Sequence, residues 1–272
     1  MINEIVAQTL ANGTLAESFV HSAYAPALAT HIGAGVVSIL SGAAALNFSK
    51  GDARHRVAGQ AIVLGMLLIG LSGPFIAKSH VAMLTPIIAD YFVITGWRSI
   101  RRTTQEGSNL FEIIALCVVV CLAATYVMLG QQAAASASGS LDGFPASFHY
   151  VFAGLALAAA AMDLNVIARG RVVGAARLSR HLGRMCFGLL LAGMSFFLGQ
   201  RDRFPVEVRR TGILLFITLA PLAIMLFWLV RVHFMPNARF HPALEFAGRT
   251  LCAAYFAVTA IGLLALFRPR GI

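Results

Sequence analysis

The chain carries apolar runs that are too long and too numerous for the core of a water-soluble domain. Eight segments, 27–47, 57–77, 79–97, 109–130, 148–168, 182–200, 211–231 and 246–267, each approach the roughly 17–25 residues that a helix needs to cross hydrocarbon. A backbone in lipid must satisfy its own hydrogen bonds, which leaves helices or a closed barrel, and the period-two alternation of a barrel is missing. The sequence therefore predicts an all-α integral membrane protein with eight transmembrane helices. Composition agrees: 58% of the residues are hydrophobic and only 12% are charged, against about a quarter in soluble domains.

The formal net charge of +10 is not the footprint of a nucleic-acid binder, which gathers its cations on one solvated face. Here the basic residues sit in the gaps between apolar runs, as interface charges do, and the expected partner is the lipid bilayer. With the N-terminus outside, 14 of the 21 Lys and Arg fall on inner loops and 7 on outer ones, so the positive-inside rule favours an N-out, C-out chain. Residues 1–26 are expected outside. Their first twenty hold two acids and no basic residue, so they are not read as a secretory signal, and Ile2, Ile5, Val6 and Leu10 suit a helix lying on the membrane surface. The cysteines, Cys117, Cys121, Cys186 and Cys252, lie in apolar runs without a CxxC and read as small hydrophobes.

The segment QQAAASASGSLDGFPAS (131–147) is small, polar and free of basic residues. It reads as a flexible outside linker dividing a first four-helix half, 27–130, from a second, 148–272. The halves are weakly similar. A His opens spans one and five (His31, His149), an Arg-His pair precedes spans two and six (Arg54-His55, Arg180-His181), and GWRSIRR and FWLVRVHF close spans three and seven. Copies four spans apart make a parallel repeat.

The stretches HIGAGVVSILSGAAALNFSKGDARHRVAG, ADYFVITGWRSIRR, RHLGRMCFGLLLAGMSFFLGQ and RFPVEVRRTGILLF resemble a bacterial family of multi-pass predicted membrane proteins that carries a domain of unknown function. The resemblance covers most of 27–233. It implies a location in the bacterial inner membrane, and it implies no activity.

Candidate site residues come from the spans themselves. Helical spacing places Gly35, Ser38 and Gly42 on the face of His31; Ala153, Ala156, Ala160 and Asp163 on that of His149; and Met185, Gly188 and Ala192 on that of His181, with Arg184 alongside. The His55 face is larger, with Gly59, Ile62, Met66 and Ile69. Small faces suit close helix packing. They also suit a flat haem with an axial His on the same face. In the N-out arrangement His31 and His149 pair at the outer level and His55 and His181 at the inner one, the layout of a two-haem b-type cytochrome. His80 competes at the outer level. Arg54, Arg56, Arg180 and Arg184 are then candidates to neutralise haem propionates.

Charges inside spans are costly and therefore informative. Arg184 either snorkels to the surface or pairs with Asp163. Asp90 sits ten residues into span three, hence ~15 Å from the outer surface, where it suits packing, proton relay or cation binding. The soluble-enzyme motifs G-x-x-x-x-G-K-[ST], H-E-x-x-H and G-x-G-x-x-G do not occur. Two readings stand. One is a membrane electron-transfer protein with haem b on paired histidines and a quinone or other redox partner. The alternative is a small-solute or proton-coupled transporter or sensor built on Asp90, Asp163 and Arg184.

Overall fold

A computed structural model describes the backbone of residues 2–101, 110–170, 172–234 and 242–266, and the side chains of 22–101, 110–170, 172–232 and 246–264. The described chain is helical apart from short connections. Its long helices are α1 (Ile2–Asn47), α2 (Ala53–Ile76), α3 (His80–Arg101), α4 (Leu110–Ala135), α5 (Ala146–Arg169) and α6 (Gly174–Gly193). A short α7 (Val206–Arg210) leads into α8 (Ile213–Phe234) and α9 (Pro242–Leu266). Eight helical stretches are long and apolar enough to cross a membrane, from Ser22–Asn47 to Phe246–Leu264, and each falls on one of the eight segments expected from the sequence. Leu64, Leu71, Val151, Ile261 and Leu264 are exposed on them, which a bilayer accommodates and water does not. α1 runs unbroken from Ile2 through Asn47, so the expected surface helix and the first span share one element.

Helix ends follow local chemistry. Gly51 turns the chain at φ +84°, and the Asp52 carboxylate caps α2 by accepting from the His55 backbone N–H at 2.7 Å. Lys50 donates to the Ala45, Leu46 and Phe48 carbonyls at the end of α1, where a cation complements the helix dipole. α5 stops at Gly170, left-handed at φ +69°.

Packing interleaves the two halves. α1 lies along α2 and touches α9, while α3 packs on α6, α4 on α5, and α6 on α8. The approach of α3 to α6 is close because glycines stand at the crossing: a Cβ on Gly96 would sit 2.9 Å from the Arg184 Cβ, and one on Gly188 would overlap Val93.

Residues 131–147 depart from the expected flexible linker. α4 continues to Ala135, and Ser140–Leu141 pairs antiparallel with Phe144–Pro145 around Asp142-Gly143. Both turn residues have positive φ, +54° and +80°, as a two-residue hairpin requires. The Asp142 carboxylate accepts from the His80 backbone N–H at 2.7 Å and from its Nδ1 at 2.9 Å, which latches the hairpin to the start of α3. The small polar composition suggested a linker, but the Asp-Gly pair decides the structure.

Gly188→Val is expected to lower stability by about 1–3 kcal/mol through overpacking, read as thermal unfolding in detergent. Slight desolvation raises the Asp142 carboxyl, but the His80 hydrogen bonds outweigh it and hold it below the ordinary carboxylate range. The latch should therefore be fully present above pH ~3.9 and be lost only as pH falls through the lower folded value. Hydrogen exchange at the amides of 140–144 measures this.

Candidate functional site

Two polar clusters lie within the bundle. The first joins α3, α5 and α6. Arg180 and Arg184 stand four residues apart on α6, and Tyr91, Thr95 and Ser99 stand at the same spacing on α3, so each set shares one face. Asp163 of α5 meets both. Its Oδ1 accepts from Arg180 at 2.5 Å and from Arg184 at 2.6 Å, and its Oδ2 accepts from the Tyr91 hydroxyl at 2.5 Å. Arg184 also donates to Thr95 Oγ1 at 2.5 Å and lies 5.0 Å over the Tyr91 ring. Arg180 Nε donates to Ser99 Oγ at 3.1 Å, and Arg177 binds the Ser99 and Ile100 carbonyls that end α3. Asp163 and Arg184 are each 2% exposed. Of the two expectations for Arg184, pairing holds and snorkelling does not. A cavity of about 20 Å³ adjoins the cluster, lined in part by Arg98, Ser99, Glu112, Asp163 and Arg180, room for about one water. Thr95 is readable from the sequence as an interhelical hydrogen-bonding residue, whereas Tyr91 and Ser99 were not singled out, although their four-residue spacing from Thr95 carried the signal.

The second cluster is a histidine pair. His55 Nδ1 lies 2.9 Å from the Ala45 carbonyl oxygen, and His181 Nδ1 lies 2.9 Å from that of Gly96. A carbonyl only accepts, so each Nδ1 carries the proton and each Nε2 keeps a lone pair. The rings face one another with centroids 6.4 Å apart and planes at 76°. Nδ1–H bonded to backbone with Nε2 free is the tautomer that ligates metal.

The other histidines are placed differently. His31 Nδ1 lies 3.1 Å from Ser72 Oγ, and that hydroxyl donates to the Leu68 carbonyl at 2.6 Å. His149 is fully buried, edge-on to Phe148 at 5.7 Å, and neither ring nitrogen has a hydrogen-bond partner among the described residues. α1 packs on α2, α9 and α6, whereas α5 packs on α4, so His31 and His149 are held by different neighbours rather than facing each other as His55 and His181 do. The side chains of His21, His233 and His241 lie outside the described residues.

The small residues beside these histidines are largely used for helix packing. A Cβ on Gly42 would meet Leu189 at 2.7 Å, Gly65 faces Ser38, and Ala153, Ala156 and Ala160 are buried. Gly59, one turn from His55, and Gly183, two residues from His181, are exceptions: no heavy atom lies within 4 Å of a Cβ built at either. Among the described residues no group of three or more His, Cys, Asp or Glu is arranged to hold a metal ion, so the histidine pair is a two-ligand set. Cys186 and Cys252 are buried, while Cys117 and Cys121 are exposed on α4.

The chain matches no protein-family model, and searches of curated proteins and of solved structures return no match.

Replacing Asp163 with Ala strands the buried guanidinium of Arg184 and the half-buried one of Arg180 and should cost about 3–5 kcal/mol, measured by denaturation in detergent. Replacing Asp163 and Arg184 together with uncharged residues should cost less than the sum of the single changes.

Proposed function

We propose that this chain is an electron-transfer protein of the bacterial inner membrane, with one b-type haem held between His55 and His181. The observation that carries the reading is the pair of neighbouring imidazoles, 6.4 Å apart and edge-on, each with Nδ1–H tied to a backbone carbonyl so that Nε2 keeps its lone pair. Two metal–nitrogen bonds of about 2 Å each, with the half-widths of two rings, span a separation of the size seen here. Gly59, one turn from His55 on the same helix face, has open space around it, where a plate needs room.

A bis-histidine haem supplies reversible one-electron transfer. The protein's part is to orient both ligands before the group arrives. The Ala45 and Gly96 carbonyls fix ring rotation and tautomer, and they raise the basicity of Nε2. Arg180 and Arg184 are committed to Asp163, which leaves exposed Arg54 as the arginine beside His55 suited to a propionate. The reading is for one haem, because His31 and His149 lack the facing arrangement. A quinone or another redox partner would exchange electrons with it. The N-out, C-out orientation belongs to the same proposal and rests on the distribution of Lys and Arg. So does the parallel repeat: His55 and His181 open corresponding spans of the two halves and meet at one place.

The test is an absorption spectrum of the detergent-purified protein, oxidised and then dithionite-reduced, after expression with ample haem. Sharp reduced α and β bands and a shifted Soret band are expected. His55→Ala and His181→Ala should each remove them, and His31→Ala and His149→Ala should leave them. A protein that stays colourless with haem available overturns the proposal.

A further inference from the structure

Asp90 stands apart from both clusters. It lies midway along α3, and its neighbour Tyr91 faces Asp163. Asp90 instead meets α2, where a methyl group on Gly70 would overlap its Oδ2. Its Oδ1 is buried, and neither oxygen has a hydrogen-bond partner among the described residues. No counter-ion is near in sequence on the helices around it. α2 has no charged residue between Arg56 and Lys78, α3 has none but Asp90 from Val81 to Trp97, and α6 has none from Met185 to Gln200. α1 has none from Ser22 to Ser49; its titratable group on this side, His31, is bonded to Ser72.

The facing helix offers an acceptor at this level. Pro74 lies inside α2 and has no N–H, so it cannot close the helix bond to the carbonyl four residues earlier, that of Gly70. Three residues on, a Cβ built on Gly73 would lie 3.6 Å from the Pro86 ring of α3, so a second proline stands at the same seam. A carboxyl in a low-dielectric layer without a cation is costly as an anion, and in membranes such an acid with an adjoining released carbonyl is the chemistry that holds a proton or a sodium ion.

We propose that the Asp90 carboxyl and the Gly70 carbonyl form a monovalent-cation site in the α2–α3 seam. The occupant is a proton, shared as a carboxylic O–H donating to the Gly70 carbonyl, or a sodium ion bound by both oxygens. The site is independent of the haem and of its ligands.

N,N′-dicyclohexylcarbodiimide tests this on the full chain in detergent, with the modified residue located by peptide mass spectrometry. A carboxylic acid adds across one C=N bond, its oxygen going to the central carbon and its proton to nitrogen, so only the acid form reacts. Asp90 is expected to take the label in sodium-free choline buffer. Label lost on adding sodium chloride identifies a sodium site, and label unchanged by sodium identifies a proton site. Pro74→Ala restores a donor to the Gly70 carbonyl and should reduce the label or its sodium protection, with helicity checked by circular dichroism. Asp90 left unlabelled from acid to neutral pH, or labelled identically in folded Pro74→Ala, overturns the proposal.

Discussion

One buried and one half-buried guanidinium group in a bundle of apolar helices require compensation, and here one carboxylate supplies it. Asp163 takes Arg180 and Arg184 on one oxygen and the Tyr91 hydroxyl on the other. Taking either partner out of water is expensive, so the arrangement is tolerable only as a set. Its four members come from three helices, α3, α5 and α6, and it fixes their rotation about their own axes. The glycines at the α3–α6 crossing then follow from the depth of Arg184: its Cβ stands against Gly96, where another side chain would hold the helices apart.

The histidine pair inherits its position from that clamp and from the α1–α2 corner. His181 directly follows Arg180 and stands three residues before Arg184, and its Nδ1 reaches the Gly96 carbonyl because α3 is drawn close. His55 is set by the Asp52 cap and by the end of α1, where Ala45 presents its carbonyl. Neither ring is placed by chance contacts, because each is anchored to the backbone of a neighbouring helix. Side chains held in this way are preorganised in ring rotation and tautomer.

Much of the fold was legible in the sequence because hydrophobic length is a strong signal in a membrane. All eight spans could be read from it, and the partnership of Arg184 with Asp163 followed from the cost of leaving either alone. Partner choice among helices was not legible. The Asp-Gly turn was hidden by its small polar neighbours, and the small-residue faces predicted close packing at Gly42 and Gly188 without naming Leu189 and Val93 as the side chains that fill them. Periodicity assigns a residue to a face but does not say which helix covers that face. Equal depth brought His55 and His181 together yet failed for His31 and His149, since depth fixes one coordinate and packing fixes the other two.

The salt bridge also bears on how the chain enters the bilayer. α5 and α6 are consecutive and joined by a short turn at Gly170, and α5 carries the acid that α6 needs. An isolated α6 would bring Arg184 into lipid uncompensated, whereas a hairpin of α5 and α6 brings the opposite charge with it. Insertion of the sixth span thus depends on the fifth, and a chain interrupted between them would leave α6 stranded at the surface rather than across it.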